Sequence, residues 1–350
     1  MVAGFGSAPS EPDSRVKHMD LTTRYMGLQL KNPLVASASP LNADLSNIRR
    51  LEDAGAAAVV LPSLFEEQIE AEGRRYDRLT SSSAESFPEA LTYFPQTSDY
   101  RVGPQQYLDL VKRASEAVDI PVIASLNGVT DEGWVSYASL IEEAGAKGLE
   151  LNIYFIPADL SLSGRDVEQR YLNILRAVRG SVSIPVAIKL SPYFSAVGSM
   201  ALELDRAGAN ALVLFNRFYQ PDIDIAQLRV LTDLKLSEPN EIRLPLLWLS
   251  VLSGRINASL AATTGVTTAD EVVKYLLVGA DAVMTTSALL RHGVTYMARL
   301  LAGLTHWLAA REFASLEKVR GMLSHRRANN PDVFERANYI KILQGYETSA

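Results

Sequence analysis

A Gly-Ala pair recurs four times in this chain, each time after an amphipathic stretch and before a short apolar run. The four copies are Gly55-Ala56, Gly145-Ala146, Gly208-Ala209 and Gly279-Ala280. A glycine just past a helix takes a positive φ and closes the helix C-terminus. The small residue beside it lets the chain turn tightly into a buried strand. The pattern therefore predicts a repeated helix–turn–strand unit.

The stretches before these pairs have the spacing of amphipathic helices. Apolar residues recur every three or four positions over residues 134–144 and 197–207. Thr268 and Glu271 have the spacing of a capping box, which marks the start of a further helix.

Eight apolar runs predict strands that are buried on both faces, as in a parallel sheet. Such strands alternating with helices predict the α/β class and a (β/α)8 TIM barrel. A doubly wound open sheet is the alternative, but the number of runs favours the barrel, and no Gly-x-Gly-x-x-Gly follows the first run. The runs are PLVASA (33–38), AAVVL (57–61), IPVIASL (120–126), GLELNI (148–153), IPVAIKL (184–190), NALVLF (210–215), INASLAA (256–262) and DAVMTT (281–286).

Other segments depart from the repeat. TTRYMG and LQLKNP predict an N-terminal β-hairpin that turns at Gly27. Residues 73–105 and 217–247 form long excursions after the second and sixth strands, on the catalytic face of a barrel. Residues 294–346 are predicted to form C-terminal helices. Whether residues 73–105 act as a lid stays open.

Composition narrows the classes of partner and site. The chain has 350 residues, 34 basic and 40 acidic side chains and a net charge of −6, which disfavours nucleic-acid binding. The absence of cysteine excludes disulfides, iron–sulfur clusters and a cysteine nucleophile, and it fits the cytoplasm. No apolar run reaches the roughly 18–20 residues that span a bilayer. The four histidines lack metal-ligand spacing, so no metal site is predicted.

The first 18 residues are polar, are rich in Gly, Ser and Pro, and lack the apolar core of a signal peptide. We expect residues 1–18 to be a flexible tail and residues 19–350 to be a single barrel domain.

The ends of the predicted strands carry polar residues, and a barrel builds its active site there. Asparagine offers two donors and one acceptor, which suits the edge of a planar heterocycle, although it also caps helices and forms turns. The residues selected by this rule are Ser37, Ala38, Ser39, Asn127, Gly128, Asn152, Lys189, Asn216, Arg217, Thr263, Thr264, Gly265, Thr286 and Ser287.

Lys189 ends an otherwise apolar strand. Such a lysine stabilises developing negative charge or forms a Schiff base, unless it extends to solvent. Thr264-Gly265 precedes the capped helix, and Thr286-Ser287 follows the eighth strand. Barrels commonly bind phosphate at these two loops, so we predict a phosphate site there.

From Leu21 to about Met322 the chain resembles the dihydroorotate dehydrogenase family of FMN-binding barrels, in a divergent form similar to its class 1 members. The motifs that carry the resemblance are TTRYMGLQLKNPLVASASP, IPVAIKLSPYF and TGVTTADEVVKYLLVGADAVMTTSALLRHG.

The resemblance implies an FMN at the barrel mouth, with its phosphate near Gly265, Thr286 and Ser287. It implies that Lys189 approaches the pyrimidine edge of the flavin, that the segment 36–39 lines one flavin face, and that three asparagines contact flavin or substrate. These asparagines are Asn127, Asn152 and Asn216.

The chain also departs from the family pattern. The fourth-strand motif N-x-S-C-P-N of the family is replaced by Asn152-Ile-Tyr-Phe-Ile-Pro157, which puts Phe155 or Ile156 at the position of the general base. Neither residue can accept a proton. The lysine of the second strand, expected near Val60 or Leu61, is missing, and the N-S-x-G-N-G run after strand six is replaced by NRFYQP. The flavin half of the site is thus kept, while much of the orotate half is rebuilt.

Tyr154 and Tyr219 are the nearest candidates for proton transfer, or else they are packing residues. Tyrosine is a weak base and a better acid at neutral pH, which suits reduction of an activated alkene.

The leading hypothesis is an FMN-dependent oxidoreductase that oxidises dihydroorotate, as in pyrimidine biosynthesis, or a related cyclic amide. A soluble electron acceptor would reoxidise the flavin. One alternative is a flavin-binding homologue with another substrate or no activity. Another is a flavin-free Schiff-base barrel that uses Lys189. The family often forms dimers, so the resemblance makes a homodimer possible.

Overall fold

The computed structural model describes residues 19–69, 104–128, 132–217, 220–231, 233–328 and Gln344. The predicted tail, Tyr219, nearly all of the first excursion and most residues after 328 lie outside this set.

The strands follow in chain order. They are β1 Thr23–Tyr25, β2 Leu28–Leu30, β3 Leu34–Ala36, β4 Ala58–Phe65, β5 Val122–Asn127, β6 Gly148–Asn152, β7 Val186–Leu190, β8 Ala211–Leu214, β9 Asp222–Asp224, β10 Arg229–Leu231, β11 Ser259–Ala262 and β12 Ala282–Thr285.

The α-helices lie between and after these strands. They are α1 Leu45–Asp53, α2 Pro104–Ala117, α3 Glu132–Glu143, α4 Gly164–Ser181, α5 Val197–Arg206, α6 Arg243–Leu252, α7 Ala269–Val278, α8 Ser287–His292 and α9 Tyr296–Ala310. Short 3-10 helices span Pro40–Ala43, Pro239–Ile242 and Leu316–Lys318.

Eight parallel strands close into a barrel in the order β11-β12-β3-β4-β5-β6-β7-β8. The prediction of a (β/α)8 TIM barrel is confirmed, and each of the eight predicted runs contributes one barrel strand. The register places Asn127 beside Asn152, and Asn152 beside Lys189. Three polar residues from strands distant in the chain therefore lie at the same end of the barrel.

The hairpin of β1 and β2 is confirmed, and it packs against the opposite end of the barrel. The backbone N–H of Met26 donates to Ser259 Oγ, at the start of β11. The side chain of Met26 also lies against Gly148, at the start of β6. Met26 and Leu30 belong to the apolar cluster that contains the inward-facing Ile123 and Ala187. Because the hairpin covers this end, the C-terminal ends of the strands form the mouth.

The helix ends follow the predicted pattern. Gly145 and Gly279 have φ values of +103° and +112° directly after α3 and α7. The capping box at the start of α7 is also present, because the Thr268 N–H donates to Glu271 Oε2 at 2.7 Å.

The second excursion is shorter than predicted. It contains the antiparallel pair β9–β10 and a 3-10 helix, but α6 begins at Arg243, so residues 243–247 belong to a barrel helix. Pro245 in the first turn obscures this helix in the sequence, although a proline is tolerated there. In the described part of the chain, no helix is both long enough and apolar enough to cross a membrane.

We predict that Gly279→Ala lowers the free energy of unfolding by roughly 1–3 kcal/mol. The substitution forces a positive φ on alanine, and its Cβ would clash with Ser253 Oγ. Gly180→Ala in α4 is the matched control, because no heavy atom lies within 4 Å of the added Cβ. The control should be neutral or stabilising. Urea denaturation checks both variants, and equal midpoints would contradict the prediction.

Candidate functional site

A cavity of about 270 Å³, here called the mouth cavity, opens among the loops at the C-terminal ends of the strands. It brings together residues from β3, β7, β8, β11 and β12 or from the loops that follow them. The predicted site residues that line it are Ser37, Ala38, Ser39, Lys189, Asn216, Arg217, Thr263, Thr264, Gly265, Thr286 and Ser287.

The predicted asparagines form part of the same end of the barrel. The Asn216 side-chain amide donates to Asn152 Oδ1 at 2.7 Å, which joins the loop after β8 to the end of β6. Asn127 is beside Asn152 in the sheet, but it lines a smaller cavity with Trp134. Asn216 is thus the asparagine that the structure places in the wall of the mouth cavity, and Asn152 lies directly behind it.

Lys189 forms a buried ion pair that the sequence analysis missed. Its Nζ lies 3.4 Å from Glu150 Oε1, and the side chains are 10% and 1% exposed. Glu150 Oε2 has no hydrogen-bond partner. Glu150 and Asn152 are two residues apart on β6, so their side chains point to the same face of the sheet. In the sequence, the signal for Glu150 was an acidic residue two positions before an amide in the apolar run GLELNI.

The charge of the mouth cavity opposes that of the whole chain. Three cationic side chains, Lys189, Arg217 and Lys235, line it together with several serine and threonine hydroxyls. Among the described residues that form its wall, none is acidic, whereas the chain as a whole carries −6. A cavity with one sign of charge concentrates ions of the opposite sign. The wall of the mouth cavity therefore presents cationic groups and hydroxyls, and each cation is paired with a carboxylate outside the wall, Glu150, Glu241 or Asp222.

Arg217 follows Asn216 at the end of the sixth predicted strand, where the strand-end rule selects it, whereas Lys235 lies on the second excursion, which the sequence analysis treated only as a loop. The Arg217 guanidinium pairs with Glu241 at 3.0 Å and also donates to the Lys235 carbonyl. Arg217 thus holds the excursion against the barrel and adds positive charge to the wall of the mouth cavity.

The two loops predicted to bind phosphate meet at a third segment, residues 234–238, here called the strap. The Gly265 N–H donates to Ser237 Oγ at 3.1 Å. The hydroxyls of Ser237 and Ser287 are 2.9 Å apart, and the Ser237 N–H donates to Ser287 Oγ. Arg291 holds the strap by donating to the Ser237 carbonyl at 2.9 Å. Ser237 is therefore a member of this hydroxyl cluster that the sequence analysis missed.

Position 265 requires a glycine because the strap and the residues after it pass close to its backbone. Its φ is +72°, and an added Cβ would lie 2.8 Å from the Glu238 carbonyl oxygen and 2.6 Å from Ile242 Cγ2. A side chain here would push the strap away from the backbone N–H.

The candidates for proton transfer lie outside the wall of the mouth cavity or outside the described residues. Tyr154 is half-buried in the loop after β6, and its N–H donates to the Asn152 carbonyl at 3.0 Å. Phe155 and Ile156 line a neighbouring apolar cavity. Tyr219 is not described. The roles of Tyr154 and Tyr219 stay predictions.

Comparison with known proteins gives relatives that span most of the chain. The NAD-dependent dihydropyrimidine dehydrogenase subunit PreA of Escherichia coli (strain K12) is 22% identical over 333 residues, which cover 87% of this chain and 77% of PreA. A putative dihydroorotate dehydrogenase A (fumarate) of Aeropyrum pernix is 26% identical over 313 residues, which cover 88% of this chain and 98% of that protein.

The catalytic subunit of dihydroorotate dehydrogenase B (NAD(+)) of Pyrococcus abyssi is 25% identical over 310 residues, covering 86% of this chain and 98% of that subunit. No family model matches the chain. Over most of its length the chain is thus similar to the dihydroorotate dehydrogenases, in a divergent form.

We predict that Lys189→Met lowers the free energy of unfolding by about 3–5 kcal/mol. The substitution leaves the buried Glu150 carboxylate without its ion-pair partner. The double variant Lys189→Met/Glu150→Gln should recover much of that loss, since it removes both charges. A double-mutant cycle by chemical denaturation checks the coupling. Additive single effects would show that the pair is not coupled.

Proposed function

We propose that this protein is an FMN-dependent oxidoreductase of the dihydroorotate dehydrogenase type, acting on dihydroorotate or a related cyclic amide. The observation that carries the proposal is the mouth cavity, with three cationic side chains, many hydroxyls and no carboxylate among its described lining residues. The relatives support the class of reaction, because each is named as a dehydrogenase.

The residues present fit FMN. At the phosphate end, the Gly265 N–H and the hydroxyls of Ser237 and Ser287 hydrogen-bond to one another, so each can exchange its present partner for a phosphate oxygen. Ser39 Oγ is buried in the wall without a hydrogen-bond partner, which leaves it available to a ligand. The amide of Asn216 supplies donors and an acceptor for the edge of a planar ring.

When bound, FMN would supply a hydride acceptor at N5 of its ring. Lys189 would hold positive charge where negative charge develops on the pyrimidine edge, and Glu150 would hold the Lys189 side chain in place. Asn152 would orient the Asn216 amide through their hydrogen bond. Tyr154 is our candidate for the proton donor or acceptor, because the position of the family base is occupied by Phe155 or Ile156.

We further propose a small-molecule substrate and a soluble electron acceptor. Two of the relatives are named as subunits of NAD-linked dehydrogenases, which supports reoxidation through a partner. The expected homodimer stays a prediction.

An anaerobic visible absorption spectrum, recorded before and after addition of dihydroorotate, tests the proposal. We expect flavin absorption bands that bleach with substrate. A flavin spectrum that stays unchanged would exclude dihydroorotate and direct the search to other cyclic amides or to ene-reduction. A colourless protein that borohydride traps covalently with a carbonyl compound at Lys189 would contradict the proposal and favour the Schiff-base barrel.

We predict that Lys189→Ala slows flavin reduction by substrate by roughly 10²–10³-fold, because it removes the charge that stabilises the reduced ring. Stopped-flow absorbance measures the rate. Lys147→Ala is the control, because Lys147 is exposed just before β6, at the opposite end of the barrel. An unchanged rate in Lys189→Ala would remove this lysine from the mechanism.

A further inference from the structure

A second cavity, of about 250 Å³, lies beside the mouth and is here called the aromatic cavity. It is enclosed by the loop after β6, the loop after β7 and the first turns of α4. Its wall is mostly carbon, and the side chains that form most of it are Phe155, Pro157, Val167, Tyr171, Tyr193 and Phe194.

The inner wall is held in place by specific contacts. Tyr171 is 1% exposed, and its hydroxyl donates to the Ile153 carbonyl at 2.8 Å. The ring of Phe194 packs edge-on against Tyr171, with centroids 5.2 Å apart. Burial raises the pKa of the Tyr171 phenol above its ordinary value, so this wall stays uncharged. The cavity is thus bounded by fixed aromatic rings rather than by mobile side chains.

The outer wall is fixed in a similar way. The Arg170 guanidinium lies 4.1 Å from the centre of the Phe155 ring, a cation–π contact. Ser191 Oγ accepts from the Tyr193 N–H at 3.0 Å and sets the turn that brings Tyr193 to the rim.

The rim exposes apolar surface to water. Ile156 and Tyr193 are 51% and 63% exposed, although both line the cavity. A ligand with an apolar ring would cover these side chains and remove their apolar surface from water. The volume suffices, because a dry apolar cavity of about 150 Å³ already binds benzene in another protein.

The aromatic cavity adjoins the mouth cavity. Lys189 lines the mouth cavity and Ser191 lines the aromatic cavity, two residues further along the chain. Two residues of extended chain span about 7 Å. The resemblance puts either Phe155 or Ile156 at the position of the family base, and both belong to the wall of the aromatic cavity. The loop that departs from the family pattern has thus become an apolar surface next to the mouth.

We propose that the aromatic cavity is a subsite for a planar aromatic ring, or an apolar group of similar size, that is part of the ligand. Assigning that ring to the substrate rests on the proposed function. On that assignment, the substrate is a cyclic amide that carries an aromatic or bulky apolar substituent, which distinguishes it from dihydroorotate.

Indole serves as the probe, in calorimetric titrations of the full-length protein as purified. We expect saturable binding to the wild type and at least tenfold weaker binding to Val167→Phe, which fills the cavity. Val167→Leu, a smaller change, should give an intermediate loss. Val230→Phe adds the same ring at an exposed position of β10 and should bind indole as the wild type does.

No saturable binding to the wild type, or equal binding to Val167→Phe and the wild type, would overturn the subsite. Thermal unfolding by circular dichroism checks that each variant folds. If Val167→Phe does not fold, the weaker binding expected of Val167→Leu still tests the subsite. The flavin content of the same samples separates the two proposals. Indole binding to a flavin-free protein would support the subsite while removing the FMN function, and a flavin-loaded protein without indole binding would do the reverse.

Discussion

The closed ladder of parallel strands is the constraint on which the rest of this protein depends. Each barrel strand hydrogen-bonds to two neighbours, so its register is set on both sides. That register carries Asn127, Asn152 and Lys189 to the same end of the barrel. It also brings Ser39, Gly265 and Ser287, which are far apart in the chain, to one cavity. The β1–β2 hairpin covers the opposite end, so the polar strand ends form the mouth.

The charged side chains in the wall of the mouth cavity differ in sign from the net charge of the chain. An acidic chain presents a cavity whose described wall is cationic and rich in hydroxyls. Deep in the barrel, Glu150 balances Lys189, while Glu241 holds Arg217 from outside the described cavity wall. Carboxylates therefore position these cations without facing the cavity, and Lys235 likewise has an acidic partner, Asp222, outside the cavity wall.

Loops at the mouth add further features of the site to the barrel frame. After β8, the excursion returns over the mouth and adds Ser237 to the cluster formed by Gly265 and Ser287. After β6, Phe155 and Ile156 form part of the apolar wall of the aromatic cavity. Loops at this end of a barrel change without disturbing the core, because the strands and helices below them carry the packing.

Local patterns in the sequence determined the fold, because each depends on neighbours along the chain. The Gly-Ala turns, the capping box at Thr268 and the eight apolar runs all appear where they were predicted. The strand-end rule also selected about half of the residues that line the mouth cavity, since parallel strands end together. Only the tertiary structure revealed the partners of those residues. Glu150, Lys235 and Ser237 reach the site through side-chain direction and loop folding, and contacts between residues distant in the chain leave no periodic signal. The sequence did not reveal the aromatic cavity either, because its wall forms only where two loops and a helix meet in the folded protein.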